Sequence, residues 1–366
     1  TELRNGELYL KQGDVAISKG TGTDSDPYLL EHSGHWQWLA QQVSGGNTFE
    51  GKTLRMTTDI DASGTQIAGT FKGTFDGGGH TLRYNVGSDT NFANTEGLAP
   101  FHTLQGATIR HLRIGGTIYT KRRFAAGLAV TTEGTDTTTV LDVRSSISIW
   151  GSVSGDATHA GLITQCYAPT NFEQCSFLGS IIAGSSKRCA GMVGWTDKKV
   201  SFKYCFVDPT NVQIGNDISD YALGLASGTF IRMKMNEGSA TFEDCYYTHA
   251  IGTPQGTIVF NEVRMPQGCS ATIEGEPVFK YDGKNYYTTG TIITTITPDN
   301  YLWFHHWVPA NGVFISDPFA ENGRHRVEDI NGPVITLDYT PYEVKAETER
   351  EYFGTVYRWL SRRDYH

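Results

Sequence analysis

Short apolar segments recur along residues 97–255 at a nearly constant spacing. The glycines of Gly97-Leu98-Ala99, Gly127-Leu128-Ala129, Gly161-Leu162-Ile163, Gly191-Met192-Val193 and Gly224-Leu225-Ala226 are 30, 34, 30 and 33 residues apart. Within each unit, short alternating stretches are separated by Gly, Asn, Asp and Thr, which favours strands over amphipathic helices. The pattern therefore predicts a parallel β-helix, in which each unit forms one coil and equivalent positions stack at roughly 4.8 Å. The usual rule for parallel crossovers makes it right-handed.

A second pattern follows each glycine and predicts the inward positions of the coil. Phe172, Phe202 and Phe242 each precede a cysteine by three residues, giving Cys175, Cys205 and Cys245. Phenylalanine and cysteine then have opposite strand parity, so a corner is expected between them if both point inward. The earlier units place Ile109 with Leu112 and Val140 with Val143 at these positions. The three cysteines are expected to form a buried column.

The N-terminal segment predicts a cap for the open end of the coil. Ser33 is expected to cap a short helix whose apolar positions are Trp36, Leu39, Ala40 and Val43. Solenoids need such caps because the first coil otherwise exposes its core and its strand edges. Trp36 and Trp38 are interpreted as cap residues, with a sugar-binding platform as the alternative.

The stretch "GTFKGTFDGGGHTL" (69–82) admits three interpretations: a phosphate-binding loop, a catalytic Asp76/His80 pair, or a turn between two strands. A phosphate loop requires a helix after the glycines, but "HTLRYNV" has a strand pattern. Glycines after an aspartate supply the positive φ that a tight turn needs. We therefore expect a structural turn in which Asp76 and His80 fix the corner.

The 30-residue repeat ends near Gly256, and this defines the predicted domains. Residues 1–256 are expected to form the capped β-helix, and residues 257–346 a small β-sandwich-like domain with a hairpin turn at Asp282-Gly283. In the tail, 347–366, Phe353, Val356, Tyr357 and Leu360 recur at helical spacing, which indicates a helix.

Composition and charge restrict the possible partners. Only 19% of the residues are charged, while 42 are glycine, which is typical of a β-rich protein. A formal net charge of −9 argues against a nucleic-acid partner. No apolar stretch is long enough to predict a transmembrane segment, and nothing in the sequence indicates the oligomeric state. The six cysteines contain no CxxC pair and are interpreted as small buried side chains, although a disulfide between adjacent coils stays open.

A family resemblance adds a functional expectation. The run "GTGTDSDPYLLEHSGHWQWLAQQVSGGNTFEGKTLRMTTDIDASG", the following "GTFKGTFDGGGHTL" and the Gly-Leu repeats resemble bacterial GLUG-motif β-helix proteins over residues 20–255. Only Gly191-Met192-Val193-Gly194 keeps the closing glycine of that motif. The resemblance implies an exported, surface-exposed scaffold, often adhesive, and it supplies no catalytic residues.

Two surfaces are candidates for ligand binding. Arg113 and Arg144 occupy equivalent rungs, and stacked like charges cost energy unless an anion or a carboxylate bridges them. With Arg110, Arg122 and Arg123, they predict a site for an acidic glycan or another polyanion. The second surface is "WFHHW", in which Trp303, His305 and Trp307 share one strand face and could form an aromatic platform.

The leading hypothesis is a non-catalytic bacterial cell-surface protein that adheres to, or displays a surface for, glycans or host glycoproteins. The alternative is a polysaccharide lyase or glycoside hydrolase on a β-helix scaffold, and a third reading is a structural spacer. The sequence lacks GxSxG, HExxH and EF-hand motifs, and Asp142 and Asp244 are expected about 14 Å apart, too far to act as a catalytic pair. No metal or other cofactor is expected.

Overall fold

A computed structural model describes most of the chain. The described residues are 2–4, 7–9, 16–153, 157–183, 188–214, 227–234, 236–297, 304–310, 314–318, 323–341, 345–352 and 355–361. They divide into two compact units, Thr1–Thr257 and Ile258–His366. The boundary expected from the end of the repeat was 256/257.

The first unit contains one described helix, α1 (Ser33–Ser44), and many short strands. They are β1 (Glu2–Arg4), β2 (Glu7–Tyr9), β3 (Tyr28–Leu30), β4 (Thr53–Met56), β5 (Ile60–Asp61), β6 (Ile67–Phe71), β7 (Thr74–Asp76), β8 (Thr81–Arg83), β9 (Phe101–Leu104), β10 (Thr108–Gly115), β11 (Thr117–Thr120), β12 (Phe124–Ala126), β13 (Ala129–Thr132), β14 (Thr138–Ser145), β15 (Ser148–Gly151), β16 (Thr158–Ala160), β17 (Ile163–Cys166), β18 (Thr170–Glu173), β19 (Ser176–Phe177), β20 (Ser180–Ile182), β21 (Val193–Thr196), β22 (Lys199–Lys203), β23 (Phe206–Val207), β24 (Asn211–Gln213), β25 (Ile231–Lys234), β26 (Ser239–Glu243), β27 (Tyr246–Tyr247) and β28 (Thr257–Ile258).

Apart from β1 and β2, which pair antiparallel in a sheet of their own, these strands form a parallel β-helix, as the repeat predicts. One sheet has the strand order β25-β21-β17-β13-β9-β6, a second has the order β11-β15-β20-β24, and a 14-stranded sheet contains β10, β14, β18, β22 and β26. Each of these strands pairs in parallel with its counterpart from the next unit of the sequence. Successive units therefore stack coil upon coil.

The inward ladder has the register that the repeat predicts. Phe172 pairs with Phe202, and Phe202 pairs with Phe242. Their rings stack at 5.1 Å and 12° for the first pair and at 5.3 Å and 3° for the second. Cys175 and Cys205 are buried behind them. Aligned core side chains thus form continuous columns along the axis.

The predicted corner between phenylalanine and cysteine is a left-handed backbone turn. The residue before each cysteine has a positive φ: 54° at Gln174, 53° at Tyr204 and 48° at Asp244. His111 and Asp142, at the same position of earlier coils, have φ values of 50° and 47°. Because one left-handed residue bends the strand, positions of opposite parity can both point into the core.

The cap helix is also confirmed, but its N-cap is not Ser33. Ser33 is the first helical residue, and His32 is the N-cap, without a side-chain capping bond. Instead, Nδ1 of the buried His35 accepts the backbone N–H of Glu31 at 3.0 Å. Trp36 is fully buried, packs edge-on against Phe75 and Phe101, and donates Nε1–H to the Thr65 carbonyl. The helix therefore covers the first coils.

The glycine stretch is the turn expected between two strands, β7 and β8. Gly78 and Gly79 have φ values of 59° and 81°. A Cβ on Gly77 would lie 2.5 Å from the His111 carbonyl oxygen and 2.6 Å from the Leu112 Cα, so only glycine fits there. The loop lengthens this corner relative to the next coil without breaking the register, since Thr74 pairs with Thr108 and Thr81 with Arg113.

None of the six cysteines forms a disulfide bond, and the interpretation as buried small side chains is confirmed for five of them. Cys166, Cys175, Cys189, Cys205 and Cys245 are buried, whereas Cys269 is partly exposed. In the column, Cys175 Sγ donates to the Val140 carbonyl and Cys205 Sγ to the Phe172 carbonyl, each of them in the preceding coil. The thiols therefore contribute weak hydrogen bonds between rungs as well as filling space.

One buried histidine gives the first unit an expected pH dependence. His159 is fully buried, and desolvation lowers its pKa to about 4, although the hydrogen bond from Nε2 to the Arg122 carbonyl opposes this shift. Because the folded pKa lies below the unfolded value, the unfolded chain binds the proton first. We expect about 2–3 kcal/mol of stability to be lost as the pH falls from 6.5 towards 4. Urea denaturation at stepped pH measures it, and a His159→Gln variant with an equally steep loss over this window would contradict it.

The second unit contains strands only among its described residues. They are β29 (Glu262–Arg264), β30 (Ser270–Glu274), β31 (Phe279–Tyr281), β32 (Lys284–Tyr286), β33 (Ile292–Ile296), β34 (Phe304–Pro309), β35 (Phe314–Ile315), β36 (Arg324–Asp329), β37 (Val334–Pro341), β38 (Lys345–Tyr352) and β39 (Thr355–Ser361). One sheet has the order β29-β37-β34 and another the order β30-β33-β36-β35. Ile293 and Val327 of one sheet and Trp307, Ile335 and Leu337 of the other share one core. This arrangement is sandwich-like.

Two local predictions for this unit have opposite outcomes. The Asp282-Gly283 hairpin is confirmed, since Tyr281 pairs with Lys284 and both turn residues have a positive φ. The helix expected over 347–366 is wrong, because β38 and β39 form an antiparallel pair. Thr355, Val356, Tyr357 and Trp359 favour strands, and Gly354 disfavours a helix interior, so strand propensity outweighs the helical spacing.

Among the described residues, no helix combines the length and apolar character that crossing a bilayer requires. The 12 residues of α1 are well short of the roughly 20 that such a helix needs.

Candidate binding surface

The outward face of the 14-stranded sheet carries a row of mostly charged residues. From β10 onward, each member of the row immediately precedes the left-handed corner residue. In register along the axis this row consists of Arg55, Asp76, Arg110, Leu141, Glu173, Lys203 and Glu243. The backbone pairing places neighbouring members one rung apart, so opposite charges meet directly. At the far end, Lys203 Nζ lies 2.7 Å from Glu243 Oε1.

Asp76 lies at the centre of a cluster at the other end of this row. The side chain is only 3% exposed, and its Oδ2 accepts hydrogen bonds from Arg55 Nη2 at 3.0 Å and from Arg110 Nε at 3.0 Å. Its Oδ1 accepts the Gly78 N–H at 2.9 Å and lies 3.3 Å from His111 Nδ1. Arg110 also donates to Asp24 at 2.6 Å. We call Asp24, Arg55, Asp76, Arg110 and His111 the Asp76 cluster.

The electrostatics keep the Asp76 carboxylate ionised. Burial alone would raise its pKa, but the Gly78 N–H and the Arg110 and Arg55 guanidinium groups outweigh burial, so the pKa of Asp76 is lowered. Burial likewise opposes the charge of Arg110, yet Asp24 and Asp76 raise the pKa of its guanidinium. A lowered pKa disfavours Asp76 as a general acid, because that role needs a carboxyl group with a raised pKa.

Arg113 and Arg144 do stack in register, and a carboxylate bridges them. Arg113 binds Asp142 in a bidentate manner, with Nη1 to Oδ1 at 3.2 Å and Nη2 to Oδ2 at 3.3 Å. Arg144 Nε lies 3.6 Å from the same Oδ1. The bridging carboxylate comes from the chain itself, so an external anion is not needed to hold the two arginines together.

Arg122 and Arg123 lie apart from these three arginines in the coil. They follow β11, which belongs to the four-stranded sheet, whereas Arg110, Arg113 and Arg144 belong to β10 and β14 of the 14-stranded sheet. Arg122 Nε donates to the Asn94 carbonyl, and the Arg123 guanidinium lies 5.0 Å from the centre of the Phe124 ring. Proximity in sequence therefore does not make the five arginines one site.

An open groove runs beside the Asp76 cluster. It has a volume of about 690 Å³, and its lining consists of Arg55, Met56, Thr57, Asp76, Gly78, Gly79, His80, Arg110, His111 and Asp142. His80 Nδ1 lies 3.7 Å from Asp59 Oδ1, which also accepts the Thr81 N–H. Among the described residues, no group of three or more His, Cys, Asp or Glu side chains could hold a metal ion. Two arginines and two aspartates in this lining offer fixed donors and acceptors.

The "WFHHW" surface of the second unit contributes little to a candidate site. Trp307 is 2% exposed and packs in the core, so its indole cannot serve as an exposed platform. Trp303 and the side chain of His305 lie outside the described residues. Strand parity placed these three residues on one face, and that face includes a core position.

Comparison with known proteins gives one distant structural likeness. No family model matches the chain, and neither does any curated protein. Among solved structures, the chain is similar to a protein described as a "putative immunoglobulin A1 protease from Bacteroides ovatus". The identity is 15%, the match covers 63% of this chain and 78% of the other, and the TM-score is 0.32. This likeness is too distant to indicate a function.

Proposed function

We propose that the chain is a non-catalytic bacterial scaffold, exported to the cell surface, whose β-helix presents a rigid face for adhesion to glycans or host glycoproteins. The resemblance to GLUG-motif proteins supports export and surface display. The observation that carries the proposal is the pairing of Asp76 and Asp142, each with two arginines, beside an open groove. These groups are positioned for recognition.

The pairing of Asp76 with arginines favours ligand binding over acid–base catalysis. Glycoside hydrolysis uses one carboxylic acid with a raised pKa and a second carboxylate at a defined distance. Asp76 instead has a lowered pKa, and its oxygens already accept bonds from Arg55, Arg110 and Gly78. Guanidinium and carboxylate groups held in fixed positions can still donate to and accept from sugar hydroxyl groups at their remaining hydrogen-bonding positions.

The charge balance favours a hydroxyl-rich glycan over a dense polyanion. Four arginines, Arg55, Arg110, Arg113 and Arg144, are paired with three aspartates, Asp24, Asp76 and Asp142. Such a surface has little net field, and so tolerates a few acidic groups without requiring them. A second row parallel to the charges supplies hydroxyl and amide groups. Its members are Thr74, Thr108, Thr139, Asn171, Ser201 and Thr241.

A binding screen that also measures products tests this function. The full chain is applied to immobilised neutral glycans, acidic glycans and mucins, and released reducing and unsaturated ends are measured in the same wells. We expect saturable binding without new ends. The Arg113→Ala/Arg144→Ala variant is expected to bind at least about 10-fold more weakly, because charge-assisted hydrogen bonds are lost.

Lys199→Ala is the matched control, because it removes an exposed positive charge from the same unit outside the groove. Its binding should equal that of the unmodified chain. Unchanged binding by the double arginine variant would exclude the two arginines paired with Asp142 as part of the contact surface. Released product would instead support the polysaccharide lyase or glycosidase alternative.

A further inference from the structure

Three side chains form an outward patch at the end of another sheet of the β-helix. The strands β13, β17 and β21 end in register at Thr132, Cys166 and Thr196. Tyr167 and Asp197 follow these strand ends on adjacent rungs, and their N–H groups continue the ladder to the Thr132 and Cys166 carbonyls. Trp195 lies one position before the end of β21. We call Tyr167, Trp195 and Asp197 the Tyr167 patch.

The patch combines an exposed ring with polar atoms that lack partners. Tyr167 is 36% exposed and meets the Trp195 ring edge to face at 5.1 Å. Trp195 Nε1 and Asp197 Oδ1 are buried atoms without a hydrogen-bond partner among the described residues. A buried donor or acceptor left unsatisfied carries a desolvation cost that well-packed proteins avoid, so both atoms call for an explanation.

The donor and the acceptor belong to the same small region. Trp195 and Asp197 are two residues apart in sequence, and Tyr167 precedes Asp197 by one rung. Burial raises the pKa of Tyr167 most, and the nearby Asp197 charge raises it further. The Asp197 carboxylate therefore lies within electrostatic reach of the phenol. One N–H donor, one carboxylate acceptor and one amphipathic ring are thus combined at a single corner.

We propose that the Tyr167 patch is a subsite for one pyranose ring of a glycan, an inference that rests on the proposed glycan-binding function. Trp195 Nε1–H donates to one sugar hydroxyl, and an adjacent hydroxyl donates to the Asp197 carboxylate. The Tyr167 ring turns aside to admit the sugar and packs against its C–H groups, which carry the partial positive charge that an aromatic face attracts. A rotation of one partly exposed side chain is the movement required.

Ligand-observed saturation-transfer NMR on the full chain tests the subsite. The probes are the methyl pyranosides of glucose, galactose, mannose and N-acetylglucosamine at millimolar concentration. We expect saturable transfer to at least one of them. Trp195→Phe, which deletes the N–H and keeps an aromatic ring, and Asp197→Asn, which removes the charge, should each weaken that binding at least about 5-fold.

Trp150→Phe is the matched control, because it makes the same chemical change at a 37% exposed tryptophan on another sheet. It should leave binding unchanged. Denaturation of each variant provides a readout that separates binding from a structural role. Removing a polar group that has no hydrogen-bond partner in the free chain should lower the free energy of unfolding only slightly, whereas removing a residue needed for packing would lower it strongly. If Trp195→Phe unfolds the chain, Asp197→Asn carries the test.

The outcomes distinguish this inference from the proposed function. If the chain binds immobilised glycans but pyranoside binding is absent, or is equal in both patch variants and the control, the subsite is wrong and the function stands. If the chain binds neither glycans nor pyranosides, the proposed function fails and the subsite fails with it. If both patch variants weaken pyranoside binding and the Trp150→Phe control does not, the result supports the subsite and the proposed function together.

Discussion

Replacing Phe202 with alanine is expected to lower the free energy of unfolding of the first unit by about 3–5 kcal/mol. Phe202 occupies the middle of a column, with the rings of Phe172 and Phe242 stacked on its two faces and Phe230 at 5.7 Å. Its removal leaves a cavity that two neighbouring coils must share. Urea denaturation of the full chain, followed by far-UV circular dichroism, measures the loss.

Phe242→Ala is the control for this prediction, because the same side chain ends the described column and is 36% exposed. It has a stacked neighbour on one side and less buried area to lose, so we expect less than half the effect of Phe202→Ala. Equal losses for the two variants, or a loss below about 1 kcal/mol for Phe202→Ala, would contradict the stacked arrangement.

Replacing Asp76 with alanine should be nearly as damaging, at about 3–5 kcal/mol, because two guanidinium groups and one backbone N–H lose their shared acceptor. Arg55 and Arg110 would then repel each other on adjacent sides of the empty position. The affected corner also aligns the groove, so glycan binding should weaken along with stability. Urea denaturation and the glycan screen report the two effects separately.

The control is Asp89→Ala, an exposed aspartate whose removal should change stability by less than about 0.5 kcal/mol. Acidification gives a second check with a defined sign. The folded pKa of Asp76 is lowered, so its contribution is complete above the ordinary aspartate value of 3.8 and is lost as the pH falls through the folded value. An Asp76→Ala variant as stable as the Asp89→Ala control would overturn the role assigned to this carboxylate.

The sequence was sufficient to predict the coil because every stacked coil needs the same kinds of side chain at the same inward positions. Each unit must place one large apolar side chain and one small one inward at fixed positions, and this leaves a periodic signal at Phe172, Phe202 and Phe242. The turn at Gly77–Gly79 and the cap residue Trp36 were predictable for a related reason, since each depends on local backbone geometry or on helical spacing.

The Asp76 cluster was not predictable from the repeat alone. Arg55 and Asp76 are only 21 residues apart, well short of the 30-residue period, which hid the fact that they extend the charged row that begins at Arg110. Asp24 comes from a segment 86 residues before Arg110. A charged residue immediately before the left-handed corner in four of the coils, at Arg110, Glu173, Lys203 and Glu243, is the signal that points to the row.

Elsewhere, periodicity gave an ambiguous answer. The segment from Phe353 to Leu360 has helical spacing, but Val356, Tyr357 and Leu360 lie in β39, which pairs with β38. The like-charge argument for Arg113 and Arg144 correctly predicted a bridging group. Identifying that group as the Asp142 carboxylate required the three-dimensional structure.

A sulfur anomalous difference map from a crystal of the full chain tests the stacked register most directly. Cys175, Cys205 and Cys245 lie at equivalent corner positions of successive described coils, and all three are buried. The structure predicts three sulfur peaks in a line along the axis, with neighbours separated by about one strand spacing, roughly 4.8 Å. Peaks scattered more than about twice that spacing apart would contradict the β-helix register and every surface row derived from it.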